Sequence, residues 1–277
     1  MKRLPLLVGL LVAWVRAPAA MPQPAARLAI PAAPVLRPVP VRPLRLPDNS
    51  RFVLPQVQAA TPAAMRINRR VVHALLQAMD APAPTAIAAG PALRLAQKLC
   101  CMDGQTRQSR PAQGLSGFSY RVLHNDGRLL SFEFALEHTG AYSWTTTQHA
   151  VFDVRTGRQL RLFDVVAETP AHLRQQLRAA INRRLVNTLR EVWEETKDSA
   201  EVRALAERFN WNLRTRRVAI GNAEEPALDD FAVTARGVTV FYQPWLPPGW
   251  WPYSPAPAYF FPFVWLRCAP RWKYLHR

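Results

Sequence analysis

Lysine is scarce in this chain of 277 residues, since only Lys2, Lys98, Lys197 and Lys273 stand among 36 basic residues. The other basic residues are arginines, and because acidic residues number only 19, the formal net charge is +17. Attraction to an anionic polymer is therefore physically plausible. The arginines are scattered rather than gathered into one basic run, which is equally typical of a solvated cationic surface, and nucleic acid is not a predicted partner.

Recognisable catalytic and cofactor motifs are missing as well. The chain has no Gly-x-Ser-x-Gly nucleophile elbow, no phosphate-binding glycine loop and no distinctive pair of carboxylates. Its histidines never fall at a metal-binding spacing, so we predict no cofactor and no metal. The catalytic alternative is a hydrolase centred on His149, Asp153 and Ser143, because alternation along a strand would put His149 and Asp153 on one face.

Long apolar runs are lacking beyond the N-terminus. There, Met1-Lys2-Arg3 precede the apolar stretch 4–15, and Ala17-Pro18-Ala19 follows it. A basic head, about a dozen apolar residues and small residues before the cut are typical of an export signal, which predicts a signal peptide over 1–19. An uncleaved anchor is the alternative, since Arg16 lies close to the cut. We expect a mature chain without a membrane span, either periplasmic or secreted.

Cysteine is also scarce, with three residues at positions 100, 101 and 268. In an exported protein this favours one disulfide, either Cys101–Cys268 or Cys100–Cys268, because neighbours in an extended segment point to opposite faces. A bridge that closes so long a loop would stabilise the fold by about 4–5 kcal/mol. The alternative is three free thiols that fill apolar space.

Proline, by contrast, is abundant, with 26 residues. Over 20–50 it recurs every few residues and removes backbone donors, which predicts a disordered tether. The remaining stretch, 51–277, is long enough for one large core or for two subdomains, 51–125 and 126–277, that share a sheet.

The segment 129–164 has the clearest strand pattern. Its apolar and polar residues alternate, which places four large side chains on one face: Leu130, Phe132, Phe134 and Leu136. Asn125-Asp126-Gly127 predicts a hairpin before this segment. The stretch 153–158, with a glycine at 157, predicts a second hairpin, after which Leu160 and Leu162 resume the alternation. We expect a meander with one buried face.

Two long amphipathic helices are predicted on either side of the meander. Thr61-Pro62 and Thr169-Pro170 each combine an N-cap with proline at the first helical position. Apolar residues four apart follow both: Ile67, Val71, Leu75 and Met79 after the first, and Leu173, Leu177, Ile181, Leu185 and Leu189 after the second. Asp198 with Glu201 indicates a third helix. Strands near 216–221, 231–234 and 238–242 complete an α+β fold, a mainly antiparallel sheet packed against two or three helices.

Five motifs recur in this order in a known family. They are Leu54-Pro55-Gln56-Val57 with Ile67-Asn68, the Asn-x-Gly-x-x-x-Ser strand at 125–131, the glycine loop at Gly140, the Phe-Asp-x-x-Thr-Gly stretch at 152–164, and Phe-x-Val-Thr-x-x-Gly-Val at 231–238. The chain resembles, over 52–268, the extracytoplasmic domain shared by the lysozyme-sensing anti-sigma factor RsiV and the non-catalytic N-terminal region of the peptidoglycan deacetylase PdaC.

The resemblance implies a non-enzymatic α+β module at the cell envelope, which binds lysozyme in some relatives and accompanies wall-modifying enzymes in others. An anti-sigma factor needs a cytoplasmic domain before its membrane helix, yet only residues 1–3 precede the apolar run. A deacetylase needs a His-x-x-x-His pair, which this chain lacks. We therefore expect the accessory module alone.

The stretch 242–261 is rich in aromatic residues and prolines, so it cannot be a central strand. A rigid loop of this kind could present its rings to sugars, to a membrane interface or to a partner protein. The alternative is that the rings fold back onto the sheet, because exposing so many would invite aggregation. With the Gly140 loop it supplies the candidate binding residues: Gly140, Tyr142, Trp144, Trp245, Trp250, Trp251 and Tyr253.

The sequence thus predicts an exported, non-enzymatic accessory or binding module of the cell envelope. Its predicted ligand is peptidoglycan or a secreted protein such as lysozyme. The alternatives are the His149, Asp153 and Ser143 hydrolase and an arginine-driven binder of anionic polymer.

Overall fold

A five-stranded sheet organises the fold, with strand order β1-β2-β3-β4-β5. The strands are Val41–Leu46 (β1), Asn49–Val57 (β2), Gly114–Asn125 (β3), Leu129–Thr139 (β4) and Trp144–Asp153 (β5). All pairs are antiparallel except β2 and β3, which run parallel where Phe52 lies opposite Phe118. Helices α1 (Pro62–Ala78) and α2 (Ala89–Leu99) form the crossover between these two strands. The α+β class and the mainly antiparallel sheet are confirmed.

The structure is a computed structural model that describes residues 37–47, 49–80, 87–100, 114–212, 214–215, 217–218, 227–244 and 246–276. The predicted signal peptide over 1–19 and the first part of the predicted tether lie outside the described residues. Within the described part, no helix combines the length and apolarity needed to cross a membrane.

The predicted tether over 20–50 extends too far, because Val41–Leu46 is a strand. It pairs with β2 so that Pro43 lies opposite Pro55. Proline is tolerated there because β1 is an edge strand, where a missing N–H leaves no ladder bond unmade. The Asn125 side chain fixes the entry to this strand, since it accepts from the Val39 N–H at 2.9 Å and donates to the Val39 carbonyl at 2.8 Å.

One face of the sheet packs against α1 and α2 and forms a first hydrophobic core. The four side chains predicted for this face belong to it, and Phe132 and Phe134 stack at 5.8 Å. Helix α1 begins as predicted, with the Thr61 hydroxyl accepting from the Ala64 N–H at 3.1 Å. Asn68 on α1 then bonds both backbone groups of Val57, at 2.9 and 3.2 Å. The Pro-x-Val and Ile-Asn motifs therefore meet.

One end of the opposite face of the sheet is buried too, so the prediction of one buried face was incomplete. Leu129 and Val151 belong to a second core with the helices α4 (Pro170–Thr196) and α5 (Ser199–Arg208). Ser131 on this face is fully buried, and its hydroxyl accepts from the Val233 N–H at 3.2 Å. A sheet with one buried face would leave Ser131 exposed to solvent, but Ser131 is buried and its hydroxyl has a hydrogen-bond partner.

The chain reverses after β5 as predicted, and Gln159 forms an antiparallel bridge with Phe152, but a longer strand does not follow. Gly157 has φ of 69°, and its N–H donates to the Asp153 carbonyl at 2.7 Å. The Asp153 carboxylate accepts from the Arg155 N–H at 3.0 Å and the Thr156 hydroxyl at 2.8 Å. Leu160 and Leu162 are both buried as the alternation predicts, with Arg161 exposed between them, but Leu162 begins a short helix, Leu162–Val165 (α3). Asp164 caps it by accepting from the Arg161 N–H at 2.8 Å.

The C-terminal third covers the second core. Helix α4 buries the predicted stripe from Leu173 to Leu189, and Asp198 caps α5 through the Ala200 N–H at 2.7 Å. A two-stranded piece, β6 (Trp211–Asn212) and β7 (Arg217–Val218), precedes a three-stranded sheet of order β10-β9-β8. Its strands are Phe231–Val233 (β8), Gly237–Phe241 (β9) and Ala258–Pro262 (β10). Three 3-10 helices, Pro248–Tyr253, Phe263–Trp265 and Pro270–His276, also lie in this third.

The predicted disulfide is not formed. Cys268 is a free thiol in the second core, where burial raises the pKa of its thiol to about 11. Cys100 packs at the margin of the first core, whereas Cys268 lies in the second, so these two cysteines are not paired with each other. Cys101 itself lies outside the described residues.

Glu168 joins the start of α4 to the C-terminal segment. Its carboxylate contacts His172 Nδ1 at 2.8 Å and accepts from the Arg267 N–H at 3.0 Å. The hydrogen bond with His172, followed by that from Arg267, lowers the pKa of Glu168 to about 2, although burial opposes the shift. A carboxyl whose folded-state pKa is lowered adds stability that is present above its unfolded pKa and is lost as pH falls through the folded value.

We therefore expect Glu168→Gln to flatten the acid limb of the stability profile. Between about pH 5 and pH 2 the wild-type chain should lose on the order of 2–3 kcal/mol of unfolding free energy more than the variant. Urea denaturation at both pH values measures this difference, with Glu207→Gln as the control because Glu207 is exposed. Equal acid limbs for Glu168→Gln and the wild type would show that the Glu168 contacts do not stabilise the fold.

Candidate functional site

The turn between β4 and β5 presents the first group of candidate residues. His138 and Trp144 are cross-strand partners, and their rings stack at 5.1 Å with an angle of 8°. Gly140 sits against this pair, since a Cβ at Gly140 would lie 3.3 Å from the Trp144 ring. Tyr142 at the tip of the turn is 66% exposed. The turn thus holds one ring against a partner and leaves another free.

The aromatic segment divides its rings between core and surface. Trp250 and Tyr253 pack against the second core with their rings 5.9 Å apart, and the Tyr253 hydroxyl donates to Glu201. Trp251 faces outward, 42% exposed, and its indole N–H donates to the Leu246 carbonyl at 2.9 Å. Trp250 and Tyr253 thus fold back onto the core, as the second alternative predicted, whereas Trp251 is exposed, as the first predicted. Trp245 lies outside the described residues.

The two segments meet at one open pocket of about 600 Å³, which we call the aromatic pocket. Its walls include Gly140, Tyr142 and Trp144 from the turn and Trp251 from the 3-10 helix. Of the candidate residues in the described chain, the structure brings these four together and leaves Trp250 and Tyr253 apart. Three partly exposed rings from segments more than a hundred residues apart therefore surround a single space.

A polar pocket of about 550 Å³ adjoins the aromatic pocket, and Trp144 lines both. Its lining combines hydroxyl, imidazole and carboxylate groups: Ser116, Glu137, His138, Thr139, Ser143 and Thr145, with Arg51 beside them. Glu137 crosses over Gly117, where a Cβ would lie 2.6 Å from Oε2, so the absence of a side chain at 117 makes room for this carboxylate. Trp144 thus borders both the aromatic pocket and a space rich in hydrogen-bonding groups.

His138 contributes a neutral imidazole to this polar pocket. Burial lowers the pKa of His138 below its usual value, so the uncharged ring is favoured at neutral pH. Its Nε2 lies 3.2 Å from the Thr146 hydroxyl, which holds the ring parallel to Trp144. The pair is therefore a fixed stacking surface.

The hydrolase constellation predicted as an alternative does not assemble. Ser143 precedes β5 and Asp153 ends it, so at about 3.3 Å per residue His149 is roughly 20 Å from the first and 13 Å from the second. His149 contacts Asp230 at 2.8 Å and Glu133 at 3.5 Å instead, and its ring stacks on Phe241 at 3.6 Å. The His149 side chain is fully buried, so it is closed to a substrate.

Sequence reasoning missed both partners of His149. Glu133 had a signal, because a regular antiparallel register puts it opposite His149. Asp230 had none, since it lies 81 residues away and reaches the sheet only through packing of β8 on β5. In the described residues, no group of three His, Cys, Asp or Glu side chains is placed to hold a metal ion.

Fold and site together define a class: an α+β domain with one central sheet, buried on one face and in part on the other, and an open pocket walled by aromatic rings. No family model matches the chain, and no curated protein matches it. Among solved structures, it is similar to a DUF3298 family protein of Pseudomonas aeruginosa PAO1, with 15% identity, 86% of this chain and 98% of that chain covered, and a TM-score of 0.52.

A second solved structure, a member of the same DUF3298 family from Bacteroides fragilis, covers 86% of this chain and 94% of its own at 10% identity and a TM-score of 0.44. The likeness to the Pseudomonas protein shows a shared fold. The particular resemblance to the RsiV and PdaC domain stays a prediction.

Proposed function

We propose that this chain is an exported, non-enzymatic binding domain of the cell envelope, and that its ligand is a glycan of the peptidoglycan kind held at the aromatic pocket. One observation carries the proposal: Tyr142, Trp144 and Trp251 converge on one open space while 40% or more of each side chain is exposed. Buried rings are explained by the core, but exposed rings gathered at one pocket are typical of a binding surface.

The chemistry of the two pockets suits a sugar chain. The C–H face of a pyranose ring packs on a flat aromatic ring, and Trp144 is already held flat by its stack on His138. Hydroxyl groups at the sugar's edge need hydrogen-bond partners, and the polar pocket beside Trp144 offers Glu137, Ser143 and Thr145. A disaccharide lying across Trp144 would meet an aromatic surface on one side and polar groups on the other.

Charge and the N-terminal segment agree with this role. The net charge of +17, which becomes +14 once Lys2, Arg3 and Arg16 leave with the signal peptide, attracts a wall polymer that carries carboxylates. The export signal predicted over 1–19 would deliver the domain to that polymer. The resemblance to the RsiV and PdaC domain adds a second candidate ligand at the same rings, a secreted protein such as lysozyme, because exposed Trp and Tyr also anchor protein interfaces.

We expect Trp144→Ala and Trp251→Ala each to weaken binding to insoluble peptidoglycan by roughly tenfold or more, since each removes a ring from the contact. The measurement is the bound fraction in a sedimentation assay across a range of polymer concentrations. Trp193→Ala is the matched control, because Trp193 is 42% exposed on α4, as exposed as Trp251, and does not line the pocket.

Lysozyme immobilised on a surface forms the second arm of the experiment. Ring-dependent capture by lysozyme without capture by peptidoglycan would move the assignment from glycan to protein. If both ring variants bind both ligands as the wild type does, the aromatic pocket is not the binding site.

A further inference from the structure

A second cleft lies between α1 and the segment that follows the Gly157 turn, and it is lined by different residues from the aromatic pocket. It encloses about 1080 Å³. We call it the arginine cleft, because five arginines line it: Arg66, Arg69 and Arg70 on one wall and Arg158 and Arg161 on the other.

The helical wall follows from spacing along α1. Arg66, Arg69, Arg70 and His73 are separated as i, i+3, i+4 and i+7, so they share one face of the helix. This face borders the stripe that α1 buries in the first core, where Val72 and Leu76 form part of the cleft floor. The burial of α1 therefore fixes the direction in which the arginines project.

The opposite wall is held against α1 by backbone contacts. Arg66 Nε donates to the Thr156 carbonyl at 2.8 Å. Gly157 packs so closely on α1 that a Cβ there would lie 2.3 Å from the Ala63 carbonyl oxygen. The two walls keep a fixed separation, which makes the cleft a preorganised site rather than two mobile surfaces.

Among the described residues, few carboxylates offset the positive charge in the cleft. Arg158 is paired with Asp164 at 3.1 Å, and Arg66 is partly occupied by Thr156. Arg161 lies near the same carboxylate, since its N–H donates to Asp164 at 2.8 Å and its charge interacts with it. For Arg69 and Arg70, no carboxylate of the described residues forms an ion pair. Asp229 is the one acidic residue in the lining as the structure describes it.

The floor between the walls is apolar. Leu160 and Leu162 are buried there, and Phe163 is partly exposed beside them. Apolar surface next to the guanidinium groups lowers the local dielectric, which strengthens their attraction for an anion relative to an open surface. Arginines over such a floor favour a ligand with more than one negative charge.

We propose that the arginine cleft binds a phosphate-bearing polyanion. A guanidinium group donates two parallel hydrogen bonds to phosphate oxygens, and an internal phosphate of a linked chain offers two non-bridging oxygens that diverge at a tetrahedral angle. It can therefore accept from Arg69 or Arg70 on one wall and from Arg161 on the other at once, whereas a planar carboxylate faces one wall. The volume admits several linked phosphates, so a soluble polyphosphate-type or phosphodiester chain is the expected ligand class.

Binding of fluorescently labelled polyphosphate to the full chain tests the proposal. The double variant Arg69→Gln/Arg70→Gln should bind roughly tenfold or more weakly, because two charge-assisted contacts are lost. The slope of log affinity against log salt should also become shallower by roughly 1.5 units, since two charge contacts are lost. The matched control is Arg183→Gln/Arg190→Gln, which removes the same charge from exposed positions on α4 outside the cleft.

Several results would overturn the proposal. Equal losses in the cleft and control pairs would mean that net charge alone attracts the polymer. Equal affinity for polyglutamate of the same charge would show that the cleft does not recognise the geometry of phosphate. Binding only to phosphatidylglycerol vesicles would show that the arginines bind a lipid surface instead of a soluble polyanion. Trp144→Ala should leave polyphosphate binding unchanged, so this site can fail or succeed independently of the aromatic pocket.

Discussion

Gly157→Ala is expected to destabilise the fold by about 2–4 kcal/mol, although it adds only a methyl group. Two costs combine at this position. The φ of 69° is a left-handed conformation that alanine adopts only with strain, and the new Cβ would lie 2.3 Å from the Ala63 carbonyl oxygen. Because that oxygen belongs to the backbone of α1, no side-chain rotation can relieve the clash.

Chemical denaturation of the variant and the wild type measures this cost. Gly249→Ala is the matched control, because nothing lies within 4 Å of a Cβ built there. We expect the control to change the unfolding free energy by less than about 0.5 kcal/mol. If Gly157→Ala costs as little, the turn can move away from α1, and the fixed separation of the walls of the arginine cleft is refuted as well.

The sequence predicted local structure well because its signals are local. Thr61, Thr169 and Asp198 each cap a helix through hydrogen bonds to residues two or three positions on. The Asn125-Asp126-Gly127 turn closes as expected, with the Asp126 carboxylate accepting from the Leu129 N–H at 2.7 Å. A short polar side chain and a glycine at fixed offsets carry this information without reference to the rest of the chain.

Structure that depends on distant residues was missed. The strand at 41–46 reads as a proline-rich linker, and only its place at the edge of a sheet explains why it is ordered. Ser131 reads as a solvent-facing residue, yet it bonds a backbone N–H 102 positions away. No window of neighbouring residues contains the partner in either case.

At the candidate site, composition predicted which segments contribute aromatic rings, but not which of those rings face outward. The richness in aromatic residues pointed to both segments of the aromatic pocket, but it could not tell Trp250 from Trp251. The two are adjacent, and the 3-10 helix turns one ring toward the second core and the other outward. Whether Trp250 or Trp251 is exposed depends on how the 3-10 helix Pro248–Tyr253 packs against α5, where the Tyr253 hydroxyl donates to Glu201.

The chain end closes the second core, and this leads to the other large expected effect. Trp272 is 2% exposed, and its indole N–H donates to the Asp164 carbonyl at 2.8 Å. Its neighbours bond turns of the central sheet: Arg271 pairs with Asp153, and the Tyr274 hydroxyl donates to Asp126 at 2.8 Å. The 3-10 helix 270–276 thus holds two parts of the central sheet, the turn between β3 and β4 and the end of β5.

Trp272→Ala should therefore cost about 3–5 kcal/mol, because it leaves a large cavity and removes the hydrogen bond to Asp164. A loss of this size is a large part of the stability of an ordinary domain, and the melting temperature should fall by about 10 °C. Trp265→Ala provides the matched control, since Trp265 lies in the preceding 3-10 helix and is 70% exposed. Calorimetry on both variants decides the matter: similar melting temperatures would mean that the C-terminal helix is dispensable and that the second core is closed by α4 and β8 to β10 alone.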